Sequence, residues 1–436
     1  MATRTDLLNP GVARTEVFGW AMYDFANSGF TTVVITAVFA AYFVGSVAGG
    51  EAWGPLLWTS TLAVSYAIAM LTMPALGAWA DGRGAKKKLL MVVTALCVVS
   101  TCALALVQPG DLVLACVVVV LANTAYSLGE STSYAFLPEL ASPKGMGRVS
   151  GWGWSLGYAG GMTTLGLCLL YVLQAQAKGE VAASFVPVTM LMTAGVYGLA
   201  AMVTFALLKE RAQPHMQTTQ QGGLKASLAQ LKRTWAQAQD FTDFKWLLLC
   251  TVLYQAGVAV TITLAAIYAE QVIGFLPSET MALIFVLNIA AMVGAFCFGY
   301  LQDIMGHKCT LAITLVGWTI TCIVAALSTD KASFWWAAGL AGVCMGSSQS
   351  CGRAMAGLFA PPKQLGEFYG LWSLATRLAA IVGPVMYGLI TWALDGNQRV
   401  AIGATALLFV AGLVALKPIN MARGHAAAQQ HQSAGH

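Results

Sequence analysis

The chain has 436 residues, of which 58% are hydrophobic and only 9% are charged, with a net charge of +5. Typical soluble domains carry about 25% charged residues, so this chain has too few polar side chains to cover the surface of a water-soluble protein. Composition therefore excludes an ordinary soluble enzyme or a nucleic-acid-binding domain, and predicts an integral membrane protein with the lipid bilayer as its surroundings.

Apolar stretches of about 20 residues, long enough to cross a bilayer as a helix, occur twelve times along the chain. They lie at residues 18–46, 54–80, 89–108, 112–136, 149–174, 184–208, 246–271, 279–301, 308–328, 333–359, 366–394 and 398–417. We predict an all-α membrane protein with twelve transmembrane helices in two pseudo-symmetric six-helix bundles.

The positions of the basic residues predict the topology. With the N-terminus in the cytoplasm, eighteen of the 23 Lys and Arg residues fall on the cytoplasmic side, as the positive-inside rule requires. Three basic residues fall on the opposite side of the membrane, Lys178, Lys331 and Arg399. Two lie within spans, Arg353 and Arg377. Both termini are therefore expected to be cytoplasmic.

A long polar stretch separates the first six spans from the last six. The predicted domains are an N-terminal bundle (1–208), a cytoplasmic linker (209–245), a C-terminal bundle (246–420) and a disordered tail (421–436). Within the linker, the helical spacing of Leu224, Leu228, Leu231 and Trp235 predicts an amphipathic helix on the membrane surface. A merely solvated linker is the alternative.

A loop motif occurs twice, 222 residues apart, between apolar runs. Gly77, Asp81 and Gly84 follow a Gly-x-x-x-Asp-x-x-Gly spacing that Gly299, Asp303 and Gly306 repeat. Such a repeat indicates gene duplication and, in a membrane protein, a two-halved transporter. The aspartates can accept hydrogen bonds from a neighbouring helix N-terminus, whereas the basic residues at 83 and 86–88 are expected to face lipid headgroups. The candidate cytoplasmic gate consists of Gly77, Asp81, Arg83, Lys87, Gly299 and Asp303.

The duplication extends into the spans. Glu130 to Phe136 align with Arg353 to Phe359 at a separation of 223 residues, and Tyr23 and Tyr254 begin comparable stretches in spans one and seven. We therefore expect a binding site near the membrane midplane where the two bundles meet.

Four charged residues lie deep within spans: Asp24, Glu130, Arg353 and Arg377. Each costs at least about 2.5–3.5 kcal/mol at the bilayer centre, so such residues mark either ion pairs or functional sites. Structural pairing between the two acids and the two bases is one interpretation. The other is proton coupling by Asp24 and Glu130, which can bind and release a proton in a polar cavity.

Polar side chains accompany these charges at helical spacing, as expected of helices that line a cavity rather than face lipid. The candidate substrate-binding residues are Tyr23, Asn27, Tyr126, Tyr254, Gln349, Arg353 and Arg377. The five His lie outside the spans and the ten Cys form no C-x-x-C pair, so we predict no metal site and no enzymatic activity. We expect no cofactor, and a proton gradient as the energy source.

The loop motifs resemble the signature of the major facilitator superfamily. Within it, Tyr23-Asp-Phe-Ala-Asn-Ser28, the glycine-rich segment Gly147–Gly161 and Gly366-Glu-Phe-Tyr-Gly-Leu371 resemble the branch that contains the fungal vacuolar amino-acid effluxer of autophagy and its bacterial relatives. The resemblance implies alternating access, a small-molecule substrate and a bacterial inner membrane. This chain has Ala256 where the family often has Asp, so coupling is expected to fall to Asp24 or Glu130.

Together these observations predict a secondary active transporter for a small polar or zwitterionic solute, with an amino acid or short peptide as the best candidate. Proton coupling follows from the intramembrane carboxylates, and efflux from the family resemblance alone. Organic anions, metal chelates and cell-wall fragments are alternative substrates, and a non-transporting receptor on the same scaffold is a further alternative. We expect a monomer.

Overall fold

The structure is a computed structural model, and it describes residues 7–51, 53–212, 241–395 and 397–433. Long helices dominate these residues. They are α1 (Arg14–Val47), α2 (Gly54–Arg83), α3 (Lys86–Ala103), α4 (Leu112–Tyr134), α5 (Met146–Ala177), α6 (Ala182–Leu207), α7 (Thr242–Tyr268), α8 (Pro277–Met305), α9 (His307–Leu327), α10 (Lys331–Phe359), α11 (Leu365–Ala393), α12 (Gln398–Leu416) and α13 (Met421–Ser433).

Eleven helices of the described chain are long and apolar enough to cross a membrane. The tenth predicted span corresponds to α10, whose 29 residues are also long enough at 1.5 Å per residue. Its mean hydropathy is lower because it contains a run of serine, glutamine and arginine around Gln349. The all-α membrane architecture is thus confirmed, and the exceptional helix is one that contains predicted site residues.

Helix α1 changes its winding in the middle of the span. Its α-helical part, Arg14–Phe30, is followed by π-helical stretches at Thr31–Ala37 and Phe43–Val47. Near the change, the Thr32 hydroxyl donates to the Ser28 carbonyl oxygen at 2.7 Å. Wide turns of this kind are frequent at functional sites, and this one begins four residues after Asn27.

The chain forms two compact units. The described residues of Gly11–Phe136 and Leu156–Ala229 form one, which we call the N unit, and those of Met1–Pro10, Leu137–Ser155 and Gln230–His436 form the other, the C unit. In the N unit, α1 packs on α6 and both α2 and α3 pack on α4. In the C unit, α7 packs on α12 and both α8 and α9 pack on α10. The same helix pairings therefore recur six helices later.

Many large apolar side chains lie on the outside of the helices. Trp336 and Trp392 are 82% and 81% exposed, and Val113 is 79% exposed. A water-soluble protein does not expose apolar side chains on this scale. These surfaces are suited to lipid, and the large tryptophans are typical of a membrane interface.

Two expectations about polar segments are wrong. The tail 421–436 begins with a helix, α13. The Arg423 guanidinium attaches this helix to α7 with two 2.7 Å hydrogen bonds to the Asp243 carboxylate, which holds the pKa of Arg423 above its usual value. Lys86 is 1% exposed rather than lipid-facing; its ammonium lies 4.0 Å from Asp81 and over the Phe136 ring. The predicted amphipathic helix at 224–235 lies outside the described residues.

Candidate functional site

The Glu130 carboxylate lies between two tyrosines of its own helix. The hydroxyls of Tyr126 and Tyr134 donate to Glu130 Oε1 at 2.7 and 3.0 Å. The spacing explains the arrangement, because residues four apart lie on the same face of a helix. Phe30 of α1 stacks on Tyr126 with a ring-centroid distance of 5.2 Å, which fixes one of the two tyrosines. Glu130 is itself only half-buried.

A second group of polar side chains joins α1, α3 and α6 in the same unit. Tyr23 of α1 is fully buried, and its hydroxyl lies 2.9 Å from Thr94 Oγ1 and 3.3 Å from the hydroxyl of Tyr197 on α6. The Tyr197 hydroxyl donates to Asn27 Oδ1 at 2.6 Å. Tyr23 also lies against α4, since a Cβ added at Gly129 would collide with its hydroxyl.

Several buried polar atoms of the N unit have no hydrogen-bond partner among the described residues. They are Asn27 Nδ2, Asn123 Oδ1, and the hydroxyls of Ser127, Ser131 and Ser133. Asn123 is partly satisfied, because its Nδ2 donates to Ser65 Oγ at 2.6 Å. Buried polar atoms are nearly always paired with protein or water, so water or solute is expected beside these atoms.

Asp24 lies on α1 and is 6% exposed. Gly157 of α5 packs against it closely, since a Cβ added there would lie 3.4 Å from Asp24 Cβ. Gly160 and Gly161 pack in the same way against α1, at Phe25 and Thr32. The glycines of α5 therefore allow close contact with α1.

In the C unit, Tyr254 is fully buried in α7, and a Cβ added at Gly352 of α10 would collide with its hydroxyl. The neighbouring Gln255 exchanges two side-chain hydrogen bonds with Gln349, at 2.7 and 3.2 Å. Tyr254 and Gln349 are thus placed on facing helices. Ala256, which stands where the family often has Asp, is fully buried.

Arg353 of α10 is fully buried. Its Nη2 donates to the Ser150 carbonyl oxygen at 2.6 Å and its Nε to the Ser150 hydroxyl at 3.1 Å. The guanidinium lies 5.3 Å from the Trp154 ring centre. The backbone carbonyl oxygen of Arg353 accepts a hydrogen bond from the Tyr369 hydroxyl at 2.9 Å. Arg377, by contrast, is partly buried on α11.

The second loop motif holds the N-terminus of α5. Asp303 accepts hydrogen bonds from the backbone N–H groups of Gly147, at 2.9 Å, and Arg148, at 3.3 Å, and its Oδ2 lies 3.1 Å from Arg148 Nε. Gly299 allows the approach, because a Cβ added to it would lie 3.0 Å from the Gly147 carbonyl oxygen. This is the helix-terminus interaction expected of the motif aspartates.

The first loop motif has different neighbours within its unit. Gly84 ends α2 with a left-handed backbone, φ 58° and ψ 42°. The Arg83 guanidinium lies 5.2 Å from the Trp79 ring centre, and Lys87 Nζ donates to the Leu208 carbonyl oxygen at 2.7 Å. Both Asp81 and Gly77 are buried.

The predicted site residues thus form groups within each unit. The acids Asp24 and Glu130 belong to the N unit, together with Tyr23, Asn27 and Tyr126, and the bases Arg353 and Arg377 belong to the C unit, together with Tyr254 and Gln349. Sequence analysis missed Tyr197, Gln255 and Ser150. Gln255 was the discoverable one, because a glutamine inside an apolar run is itself unusual.

Comparisons with known proteins agree with this architecture. A sequence model of the family described as "Vacuole effluxer Atg22 like" matches residues 57–429. The uncharacterized MFS-type transporter YxiO of Bacillus subtilis is 28% identical over 407 residues, which cover 91% of this chain and 93% of that protein. Autophagy-related protein 22-1 of Neosartorya fischeri is 24% identical over 301 residues, which cover 64% of this chain and 48% of that protein. The match therefore spans about half of this fungal relative.

Solved structures show the same fold at low identity. The human organic anion transporter MFSD10 gives a TM-score of 0.74 at 14% identity, covering 92% of this chain and 99% of that one. The proton:xylose symporter XylE gives 0.73 at 12% identity, covering 92% and 94%. The fold is therefore that of the major facilitator superfamily, as the loop motifs predicted.

Proposed function

Because the chain belongs to the Atg22-like family of vacuole effluxers and has the major facilitator fold, we propose that this multi-pass membrane transporter exports a zwitterionic solute in exchange for protons. The solute class is an amino acid or a short peptide, and the cycle is alternating access in a bacterial inner membrane, with the monomer as the working unit. The observation that carries the proposal is the half-buried Glu130 carboxylate between two tyrosine hydroxyls.

Tyrosine hydroxyls suit a carboxyl group that changes its protonation state. A hydroxyl can donate to a carboxylate and can also accept from a carboxylic acid. Tyr126 and Tyr134 can therefore hydrogen-bond Glu130 in both states, so neither state leaves its polar atoms unpaired. Asp24 is the second coupling candidate, on the helix that the α5 glycines contact.

A zwitterion needs an anionic and a cationic partner. Glu130 is suited to an ammonium group. Arg377, partly buried in the C unit, remains the candidate partner for a carboxylate group. Tyr254 and the Gln255–Gln349 amide pair supply further donors and acceptors in the C unit.

The loop motifs fit a cytoplasmic gate. Asp303 holds the α5 N-terminus through interactions that a shift of α5 would break. We assign the same role to the first motif, with Gly77, Asp81, Arg83 and Lys87.

The test is flux in proteoliposomes that contain the purified protein, a tritiated L-amino-acid mixture and an imposed pH gradient. We expect transport of at least one component, accelerated by the gradient. Glu130→Gln should lose the acceleration, while Glu180→Gln, at a partly exposed loop residue, should behave like the wild type. If organic anions or metal chelates were transported and amino acids were not, the proposed solute class would be wrong. If transport did not depend on the gradient, the proposed proton coupling would be wrong.

A further inference from the structure

We propose that Asn27 forms a hydrogen-bond donor subsite for an acceptor oxygen of the solute, and that Tyr197 is the positioning residue that holds the Asn27 amide in its donating orientation. The inference rests on the proposed function, because it describes one part of the same site. Four observations carry it: the orientation of the amide, the absence of a partner for its nitrogen in the described part of the chain, its burial, and its place beside the turn of α4 that contains Glu130.

The orientation of the Asn27 amide is set by the hydrogen bond that its oxygen accepts from Tyr197. Tyr197 has one hydroxyl proton, and the 2.6 Å distance to Asn27 Oδ1 is shorter than the 3.3 Å distance to the Tyr23 oxygen. The proton therefore goes to Asn27. Thr94 Oγ1 lies 2.9 Å beyond Tyr23, so the hydroxyls of Thr94, Tyr23 and Tyr197 form a row that ends at the amide oxygen.

With its oxygen bound to Tyr197, the Asn27 amide turns its nitrogen away from this row of hydroxyls. Asn27 is 5% exposed, and its Nδ2 has no hydrogen-bond partner among the described residues. Two N–H groups are thus directed away from Tyr197 without an acceptor from the described protein. Burying a donor without a partner is costly, so an oxygen atom from outside the protein is expected to occupy this position.

Two contacts place Asn27 beside the part of α4 that contains Glu130. Four residues earlier on α1, the Tyr23 hydroxyl lies against Gly129, and three residues later, Phe30 stacks on Tyr126. Asn27 lies between these contacts along α1. The donor subsite and the carboxylate are therefore on neighbouring turns of packed helices.

A solute that binds both the Glu130 carboxylate and the Asn27 amide nitrogen needs a positively charged donor group and, a short distance away, an acceptor oxygen. An α-amino acid has this arrangement, with its ammonium group for Glu130 and a carboxylate oxygen for Asn27. An amine that lacks the carboxyl group can satisfy only Glu130. The Asn27 subsite is thus expected to distinguish amino acids from simple amines.

The experiment measures KM and Vmax in proteoliposomes for the best-transported amino acid of the tritiated mixture. We expect Tyr197→Phe to raise KM about tenfold, the effect of losing roughly one hydrogen bond, while Vmax stays within about twofold. Asn27→Asp retains the shape and the oxygen that accepts from Tyr197 but replaces the donor by an acceptor, so its KM rises further. The matched control is Tyr171→Phe, a half-buried tyrosine of α5, and its KM is expected to be unchanged.

Competition by the corresponding amine gives the second readout. In the wild type the amine competes about tenfold more weakly than the amino acid, and in Asn27→Asp this preference disappears. A purely structural role of Tyr197 would lower Vmax and thermal stability but leave KM and the preference unchanged, which overturns the inference alone. A wild type that transports no amino acid overturns the proposed function and the inference with it.

Discussion

Helices α4 and α10 contain charged residues at equivalent places in the two halves of the chain, and the two residues have very different surroundings. In both halves a buried tyrosine, Tyr23 or Tyr254, lies against the glycine that precedes the charged residue. Beyond this shared contact, Arg353 is fully buried and bound to a backbone carbonyl, whereas Glu130 is half-buried between hydroxyls. Of the two duplicated positions, one thus has a backbone carbonyl as a partner and the other has two tyrosine hydroxyls.

This difference distinguishes two roles that a charged residue in a span can have, joining helices or changing its protonation state. Both residues are costly in a membrane span, and sequence alone treats them alike. The Arg353 guanidinium holds α5 to α10 through Ser150 and Trp154. Hydroxyl partners, by contrast, suit both protonation states of a carboxyl group. Substitutions at the two positions should therefore affect different properties.

The largest expected effect is on stability at Arg353. Arg353→Leu removes the buried guanidinium that donates to Ser150 and should lower the free energy of unfolding by about 3 kcal/mol, because two hydrogen bonds from a charged donor are lost. Glu130→Gln retains a side-chain oxygen that can accept from Tyr126 and Tyr134, and should cost less than about 1 kcal/mol. SDS titration of the purified variants in mixed micelles measures both. Equal losses would contradict the distinction.

The shared tyrosine–glycine contact should be sensitive in both halves. Gly129→Ala and Gly352→Ala place a methyl group on a buried hydroxyl, and each should lower the free energy of unfolding by about 1–3 kcal/mol. Gly195→Ala and Gly388→Ala are the controls, because a Cβ there has nothing within 4 Å. The same titration should find them neutral or slightly stabilising, since Ala favours helix over Gly. A tolerated substitution in only one half would show that the contact is not equivalent.

The smallest expected effect on stability concerns Lys331, a partly exposed residue at the start of α10, the helix that contains Arg353. Lys331 Nζ lies 2.6 Å from Glu279 and holds the pKa of that carboxyl below its usual value of 4.5. Because the folded-state pKa is the lower one, the pair stabilises the protein above about pH 4.5, and the effect is lost as the pH falls through the folded-state value. Glu279→Gln should therefore lower Tm slightly at pH 7 and by less at pH 3.5, and 0.5 M salt should reduce the difference. A large, salt-insensitive shift would contradict this assignment.

Much of the architecture could be predicted from sequence, because length and hydropathy determine which segments suit a bilayer. The helical spacing of Tyr126, Glu130 and Tyr134 likewise placed them on one face. Tyr197 could not be found in this way, since its role depends on α6 packing against α1. Arg353 was recognised as important, but its bond to Ser150 joins residues that are 203 apart. Lys86 and the 421–433 helix were misjudged because charge and composition do not reveal specific partners.

The central claim is that Glu130 carries the proton that couples the pH gradient to transport of the solute. The most direct measurement compares two modes of transport in Glu130→Gln proteoliposomes: uptake driven by a pH gradient, and counterflow of labelled against unlabelled amino acid without a gradient. The account predicts that acceleration by the gradient is abolished, while counterflow persists with a raised KM because the ammonium group of the solute loses a charged partner. Gradient-driven uptake that survives in Glu130→Gln would contradict it.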